Sequence, residues 1–108
     1  MIRYGMAQWQ HSAWVNWLYP SALSSSERIG RYSTFFSTVE VGSTFYTKVE
    51  QTQLLRWFDA VVDDFQFCFK APQTVTHRLS DRPWNEIQRD WLAFIESLRP
   101  LQSKLGPT

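Results

Sequence analysis

The stretch that decides the fold is DDFQFCFKAPQTVTH, residues 63–77. Phenylalanine stands at positions 65, 67 and 69, polar or small residues stand between, and the alternation ends at a lysine. Successive side chains of a strand point to opposite faces of a sheet. The pattern therefore predicts a strand whose three aromatic rings face a layer of helices, while Gln66, Cys68 and Lys70 point to the other side.

The stretch TVEVGSTFY, residues 38–46, predicts a neighbouring strand with the same alternation. Val39 and Val41 form its helix-facing set, so Glu40 points to the same side as Lys70. Because a charge buried without a partner costs several kcal/mol, we expect an ammonium group beside a carboxylate at the rim of a pocket. A salt bridge without a chemical role explains the pattern equally well.

The chain as a whole repeats a strand followed by a helix three times. A first strand is predicted over residues 2–9, and a helix over residues 24–36 opens with the capping-box spacing of Ser24 and Glu27. Two further helices are expected to begin near Thr47 and at residues 81–83. Their predicted buried stripes are Leu54, Leu55, Phe58, Val61 and Val62, and then Trp84, Ile87, Trp91, Phe94, Ile95 and Leu98.

This alternation predicts the fold class. Strands and helices that alternate in about 30-residue units are typical of a parallel α/β fold, and the same spacing occurs in (β/α) barrels. A complete barrel takes roughly 250 residues. Three units therefore either form a small open parallel sheet or are part of a larger fold.

Composition limits the classes of protein to consider. The 108 residues suit one domain, and aromatic residues make up 17% of them, which allows a substantial core. A net charge of +1 gives no overall attraction for nucleic acid. Cys68 is the single cysteine, so no internal disulfide forms, and a packing role is favoured over a nucleophilic one. Without a long apolar run or a signal-peptide pattern, we expect a cytoplasmic protein that does not enter membranes.

Several segments resemble one protein family. TVEVGSTFY and FCFKAPQTVTH are similar to two central motifs of the YecE-like proteins, the family of the domain of unknown function 72 (DUF72). Shorter matches are GMAQW, WLYP and LQSKLGP, so the resemblance covers nearly the whole chain. It implies a TIM-like (β/α) barrel whose activity is not established. This chain would supply three βα units of that barrel, truncated before strand four. We therefore expect residues 1–108 to be a single, partial TIM-barrel domain from the amino-terminal part of that family.

The resemblance also implies a set of pocket residues. Those expected to act in catalysis are Glu40, Lys70 and His77. Those expected to bind substrate are Trp9, Ser43, Thr44, Tyr46 and Thr76, while Phe45 and Pro72 lie nearby without an assigned role. The chain departs from the family pattern at Gly42, where an asparagine is usual, and this removes one side-chain hydrogen-bonding group.

One hypothesis for the function is an enzyme. Glu40 would act as a general base, Lys70 would stabilise developing negative charge, and His77 would act as an acid or base or contact a phosphate. The partner would be a small-molecule or phosphate-bearing ligand. The two histidines and the cysteine show no metal-ligand spacing, so we expect no metal site, and the sequence assigns no cofactor.

A second hypothesis is a barrel that binds nucleic acid or phosphate. Lys70, His77, Arg78 and Arg82 follow the third strand and precede Trp84, and basic groups beside aromatic rings can hold phosphates and stack on bases. The fold alone invites analogy with DNA-repair nucleases and sugar isomerases. The opposing interpretation is that the tryptophan packs in the core and the arginines are solvated.

A third hypothesis is that these residues do not catalyse a reaction alone, because a barrel site draws on several strands. Three isolated units would also expose sheet edges and the inner barrel face. We therefore expect self-association if the domain is truncated.

Overall fold

The computed structural model describes residues 2–20, 23–77 and 81–107. Three strands alternate with four helices and three short 3₁₀ turns. The strands are β1 (Gly5–Met6), β2 (Thr38–Val41) and β3 (Gln66–Phe69). The helices are α1 (Ser25–Ser33), α2 (Gln51–Ala60), α3 (Gln73–Thr76) and α4 (Trp84–Ser97). The 3₁₀ turns are Ser12–Trp14, Ser43–Phe45 and Arg99–Lys104.

The strands form one parallel sheet in the order β1-β2-β3. In the register of β2 against β3, Val39 lies opposite Phe67 and Glu40 lies opposite Cys68. The fold is therefore mixed α/β with a parallel sheet, as the alternation of strands and helices predicts.

The odd positions of β3 and its flanking residue form the centre of the core. Phe65, Phe67 and Phe69 are all buried, as are Val39 and Val41 of β2. Helices cover this face: Tyr32 of α1 makes an edge-to-face contact with Phe65, and Trp57 of α2 stacks on Phe67. The even positions of both strands are half-buried or exposed. Helices therefore cover one face of the sheet, and the predicted alternation is confirmed for β2 and β3.

β1 is much shorter than the predicted strand over residues 2–9. At Gly5 the chain passes so close to β2 that a Cβ atom would overlap the carbonyl oxygen of Thr38. The Tyr32 hydroxyl accepts a hydrogen bond from the Met6 amide at 2.6 Å and donates one to the Thr38 carbonyl at 2.9 Å. A side chain from α1 thus supplies part of the link between the first two strands.

The first helix follows the sequence prediction more closely than the second. The capping box of Ser24 and Glu27 is present. The second helix begins at Gln51 rather than near Thr47, because the residues after β2 turn through a 3₁₀ segment first. The predicted stripe is confirmed only in part: Leu54 and Val61 are buried, whereas Leu55 and Val62 are exposed and Trp57, outside the stripe, is buried.

The last helix begins at Trp84, directly after Pro83, close to the predicted position. Its predicted stripe is only partly confirmed, since Ile87 and Leu98 are buried but Trp84 is 73% exposed. The reason is that α4 packs mainly against α3 and the Arg99–Lys104 turn instead of lying on the sheet. The prediction of Trp84 as a core residue was therefore wrong.

The segment after the Arg99–Lys104 turn returns to the sheet. Leu105 forms a parallel bridge with Phe67, and the amide of Gly106 donates to the Phe67 carbonyl at 2.7 Å. Just before it, the buried ammonium of Lys104 donates to the carbonyl oxygens of Phe58 at 2.7 Å and Val61 at 3.3 Å. This lysine caps the end of α2 and fixes the approach of the chain to the outer side of β3. In the described part of the chain, none of the helices has the length and apolar character that crossing a bilayer requires.

Candidate functional site

Glu40 and Lys70 lie on the uncovered face of the sheet, at the carboxyl ends of β2 and β3. Both line an open hollow of about 690 Å³, together with Thr38 and Cys68 of the same face. Cys68 is half-buried, and its Sγ lies 3.5 Å from the Thr38 hydroxyl. The structure therefore brings the two charged residues to one hollow, on the side of the sheet that the alternation indicates.

The two charges do not form a salt bridge. Among the described residues, the ion pairs join Arg3 to Asp64, Arg82 to Glu86 and Asp90, and Arg99 to Glu96. The Lys70 ammonium lies 4.5 Å from the centre of the Phe45 ring instead. A lysine over an aromatic face gains a cation–π attraction while its charge stays available to an anion.

Phe45 is the centre of a small cluster that joins three of the predicted site residues. The rings of Tyr46 and His77 both meet it edge-to-face, each at 4.9 Å between centroids, and Lys70 lies over its face. His77 is held from its other side by Thr76, whose hydroxyl lies 2.6 Å from the imidazole Nδ1. The cluster thus brings an ammonium group and an imidazole to one aromatic ring beside the hollow.

The Thr44 hydroxyl is used within the protein itself. Its side chain is buried, and its hydroxyl lies 3.2 Å from the Val41 carbonyl oxygen and 2.6 Å from that of Lys70. One hydroxyl proton is shared between these two acceptors. Thr44 therefore joins the carboxyl ends of β2 and β3 and positions the backbone that carries Lys70.

A second hollow, of about 330 Å³, lies at the carboxyl ends of β1 and β2. It shares Ala7 and Glu40 with the first hollow, and it contains Trp9 and Ser43 of the predicted set. Gly42 also lines it, and a Cβ atom at this position would have no neighbour within 4 Å. The space for a larger side chain is therefore open at the position where the chain departs from the family pattern.

The two tryptophans of the second hollow are almost fully buried. Trp9 and Trp57 contact each other edge-to-face at 5.0 Å, and neither indole N–H has a hydrogen-bond partner among the described residues. A buried donor left without a partner costs about 1–3 kcal/mol. Native cores rarely keep such a donor unless a water molecule or a ligand completes it.

Other predicted residues are not part of these hollows. Tyr46 is exposed and lines a separate depression between the Ser43–Phe45 turn and α4. Arg82 is bound by the carboxylates of Glu86 and Asp90 and donates to the Thr74 carbonyl, which leaves little of its charge for a phosphate. Arg78 lies outside the described residues. Across residues 2–20, 23–77 and 81–107, no group of histidine, cysteine and carboxylate side chains is arranged to hold a metal ion.

Sequence reasoning missed the ring that joins Lys70 to His77 and several residues that line the second hollow. Phe45 was given no role, although its place between Thr44 and Tyr46 directly after β2 was a signal for a strand-end cluster. Gln8, Gln10 and Trp57 line the second hollow without having been singled out. For Trp57 no signal in the sequence separates a pocket residue from a core residue, because its helical spacing fits both.

Comparisons with known proteins give one consistent result. The sequence profile described as "Protein of unknown function DUF72" matches residues 3–108. The UPF0759 protein YecE of Escherichia coli (strain K12) is 33% identical over 106 residues, which are 98% of this chain and 35% of that protein. The UPF0759 protein YunF of Bacillus subtilis (strain 168) is 29% identical over 102 residues, or 93% of this chain and 35% of that protein. The chain thus spans about a third of the length of these relatives, and no solved structure matches it significantly.

Proposed function

The chain belongs to the DUF72 family of proteins of unknown function, and on that premise we propose that it supplies three βα units of a TIM-like barrel with a ligand pocket at the strand ends. The family resemblance of the motifs is confirmed. The barrel and its pocket are the proposal, and residues 1–108 would be one partial domain of it.

The order of the strands supports the barrel. A doubly wound sheet reverses its strand order near the middle, whereas a barrel adds each parallel strand beside the previous one. Here β1, β2 and β3 follow one another, and Leu105 comes next to β3 in parallel register. Helices on one face of the sheet only correspond to the outer layer of a barrel, and the hollow with Glu40 and Lys70 then lies at the carboxyl end of its interior.

For the ligand, we propose a small molecule that carries a phosphate or another acidic group. The observation that carries this proposal is the position of Lys70, whose ammonium rests on the Phe45 ring and forms no ion pair among the described residues. His77 on the same ring adds a second donor, held by Thr76. Together they present hydrogen-bond donors and positive charge to an anion at the strand ends.

An enzymatic role would use the same residues. Glu40 is exposed at the hollow and free to take a proton from a bound substrate, and Lys70 would stabilise the negative charge that forms. A barrel enzyme collects its reacting groups from several strands, so we expect binding by these 108 residues without turnover.

The test is a titration of the chain with inorganic phosphate, in which calorimetry and the NMR signals of His77 detect binding. Lys70→Met keeps the length of the side chain and removes the charge, and we expect affinity to fall about tenfold or more. Lys48→Met is the matched control, because Lys48 is an exposed lysine outside the Glu40 hollow. Equal affinities of the two variants would overturn the proposal.

Nucleic-acid binding is the second candidate, and the exposure of Trp84 is the observation in its favour. An exposed indole can stack on a base. The two carboxylates around Arg82 act against it. Titration with a single-stranded oligonucleotide at rising salt decides between them, because phosphate contacts make affinity fall steeply with salt. Undetectable binding at low salt would remove this candidate.

A further inference from the structure

The second hollow meets the first at Ala7 and Glu40, but the remaining residues around it are different. Its volume of about 330 Å³ lies at the lower end of the range for small-molecule sites, ~300–1,000 Å³. The polar residues around it are Gln8, Gln10, Glu40 and Ser43, and the aromatic ones are Trp9 and Trp57. The hollow thus has a carboxylate and uncharged polar groups, with no cation among the described residues that line it.

These groups restrict the ligand that can bind there. A carboxylate accepts hydrogen bonds, an indole N–H donates them, and amide and hydroxyl groups do both. Hydroxyl groups on a ligand suit this lining, since each can donate to Glu40 and accept from the side-chain amide of Gln8 or Gln10. An anion in this hollow would be repelled by Glu40 without an ammonium group to offset the repulsion, because Lys70 lines only the first hollow. The broad indole rings offer apolar surface for the carbon atoms between the hydroxyls.

We propose that the second hollow binds an uncharged, hydroxyl-rich group, such as a sugar ring or a polyol. The carboxylate, amide and hydroxyl side chains that line this hollow beside the two tryptophans are the observation that points to such a ligand. The proposal extends the ligand described under the proposed function and rests on it. The hydroxyl-rich group and the acidic group would belong to one molecule, with the acidic group at Lys70 and His77. Glu40, which lines both hollows, would lie at the junction.

The test uses the ¹⁵N-labelled chain, in which each of the six tryptophans gives one indole N–H signal. Trp9→Phe and Trp57→Phe assign the two signals of interest. The probes are glucose, xylose and myo-inositol, with cyclohexanol as a ring that has a single hydroxyl, and with inorganic phosphate as an anion without a carbon skeleton. We expect one of the three hydroxyl-rich probes to shift the Trp9 or Trp57 signal in a saturable way.

Two variants keep the test independent of folding defects at the tryptophans. Glu40→Gln and Gln8→Ala change exposed side chains. Glu40→Gln should weaken binding of the probe about tenfold, and Gln8→Ala, which removes an uncharged group, somewhat less. Trp84→Phe is the control, because this exposed tryptophan lies outside the hollow, and it should leave binding unchanged.

The outcomes separate the two proposals. The hydroxyl-rich site would be overturned if none of the three probes shifted either indole signal. It would also be overturned if Glu40→Gln retained the shifts in full or if cyclohexanol reproduced them. Phosphate is expected to act at Lys70 and His77, which meet at the Phe45 ring. A response of His77 without an indole response supports anion binding alone. An indole response to the sugars without any response to phosphate supports the second hollow and contradicts the anion proposal.

Discussion

Thr44 uses one hydroxyl group to hold two strand ends together, which places it among the residues that determine stability. The hydroxyl is buried and lies within hydrogen-bond distance of the carbonyl oxygens of Val41 and Lys70. We predict that Thr44→Val, which keeps the shape and removes the donor, lowers the free energy of unfolding by about 1–2 kcal/mol. Urea denaturation followed by circular dichroism measures this.

The control for this prediction is Thr47→Val in the next turn. The Thr47 side chain is exposed, and its hydroxyl lies 3.5 Å from the Ser43 carbonyl oxygen, at the limit of a hydrogen bond. We expect a change within about 0.5 kcal/mol. If the two valine variants were equally stable, Thr44 would be free to bind a ligand, as the sequence predicts.

Tyr19 makes the free energy of unfolding depend on pH in the alkaline range. Burial raises the pKa of this phenol to about 12, and the hydroxyl has no partner among the described residues. Between pH 10 and 12 the unfolded chain releases this proton while the folded chain keeps it, so the free energy of unfolding falls as the pH rises. Below pH 10 the phenol is protonated in both states and contributes no slope.

We predict that Tyr19→Phe removes part of this alkaline loss. The difference between the two proteins should grow from pH 10 upward to no more than about 3 kcal/mol in favour of the variant. At neutral pH the variant should be at least as stable, because it removes an unpaired polar atom. Burial also raises the pKa of Tyr32, so the variant should keep some pH dependence. Identical profiles in urea titrations at several pH values would contradict the prediction.

At the scale of the elements, α1 depends on its capping box. The Ser24 hydroxyl accepts from the Glu27 amide at 3.2 Å, and the Glu27 carboxylate accepts from the Ser24 amide at 3.3 Å. We predict that Ser24→Ala lowers the free energy of unfolding by about 1 kcal/mol. Ser26→Ala, inside the same helix, is the control and should be neutral or slightly stabilising, since alanine is the better helix former. A neutral Ser24→Ala, measured by thermal denaturation, would show that α1 does not need its cap.

The sequence predicts best those elements in which apolar and polar residues repeat at a regular interval. The alternation in β2 and β3 depends on burial of one face, so reading every second residue is enough to identify the core side. Where the period is weaker, prediction fails: the 3₁₀ turn after β2 was not predicted, α2 begins later than expected, and Leu55 is exposed. For the site, alternation correctly places Glu40 and Lys70 on one side of the sheet. It says nothing about side-chain torsions, which is why the contact of Lys70 with Phe45 could not be predicted.

At the scale of the whole molecule, β1 leaves one margin of the sheet open. The side chains along this margin are large and exposed: Ile2, Tyr4 and Met6. An open edge strand with apolar side chains pairs readily with another chain. We therefore predict that the protein self-associates through β1, with an average mass that rises with concentration in analytical ultracentrifugation.

Met6→Lys tests this prediction, because a lysine on an edge strand opposes pairing. We expect the variant to stay monomeric at concentrations where the parent chain associates. Leu92→Lys is the control, since Leu92 is an exposed apolar residue of α4 that lies away from the sheet margin. Association that Met6→Lys leaves unchanged would exclude the β1 margin as the contact.

The opposite margin of the sheet is partly covered by the chain itself. Next to β3 the chain places Leu105 and Gly106, and then Pro107, which has no amide hydrogen to give to an incoming strand. If the β1 edge pairs and the edge beside β3 does not, copies cannot add head-to-tail into a fibre. Two copies can instead pair through their β1 edges about a two-fold axis, and in that arrangement no β1 edge remains exposed. The assembly should consequently stop at a pair.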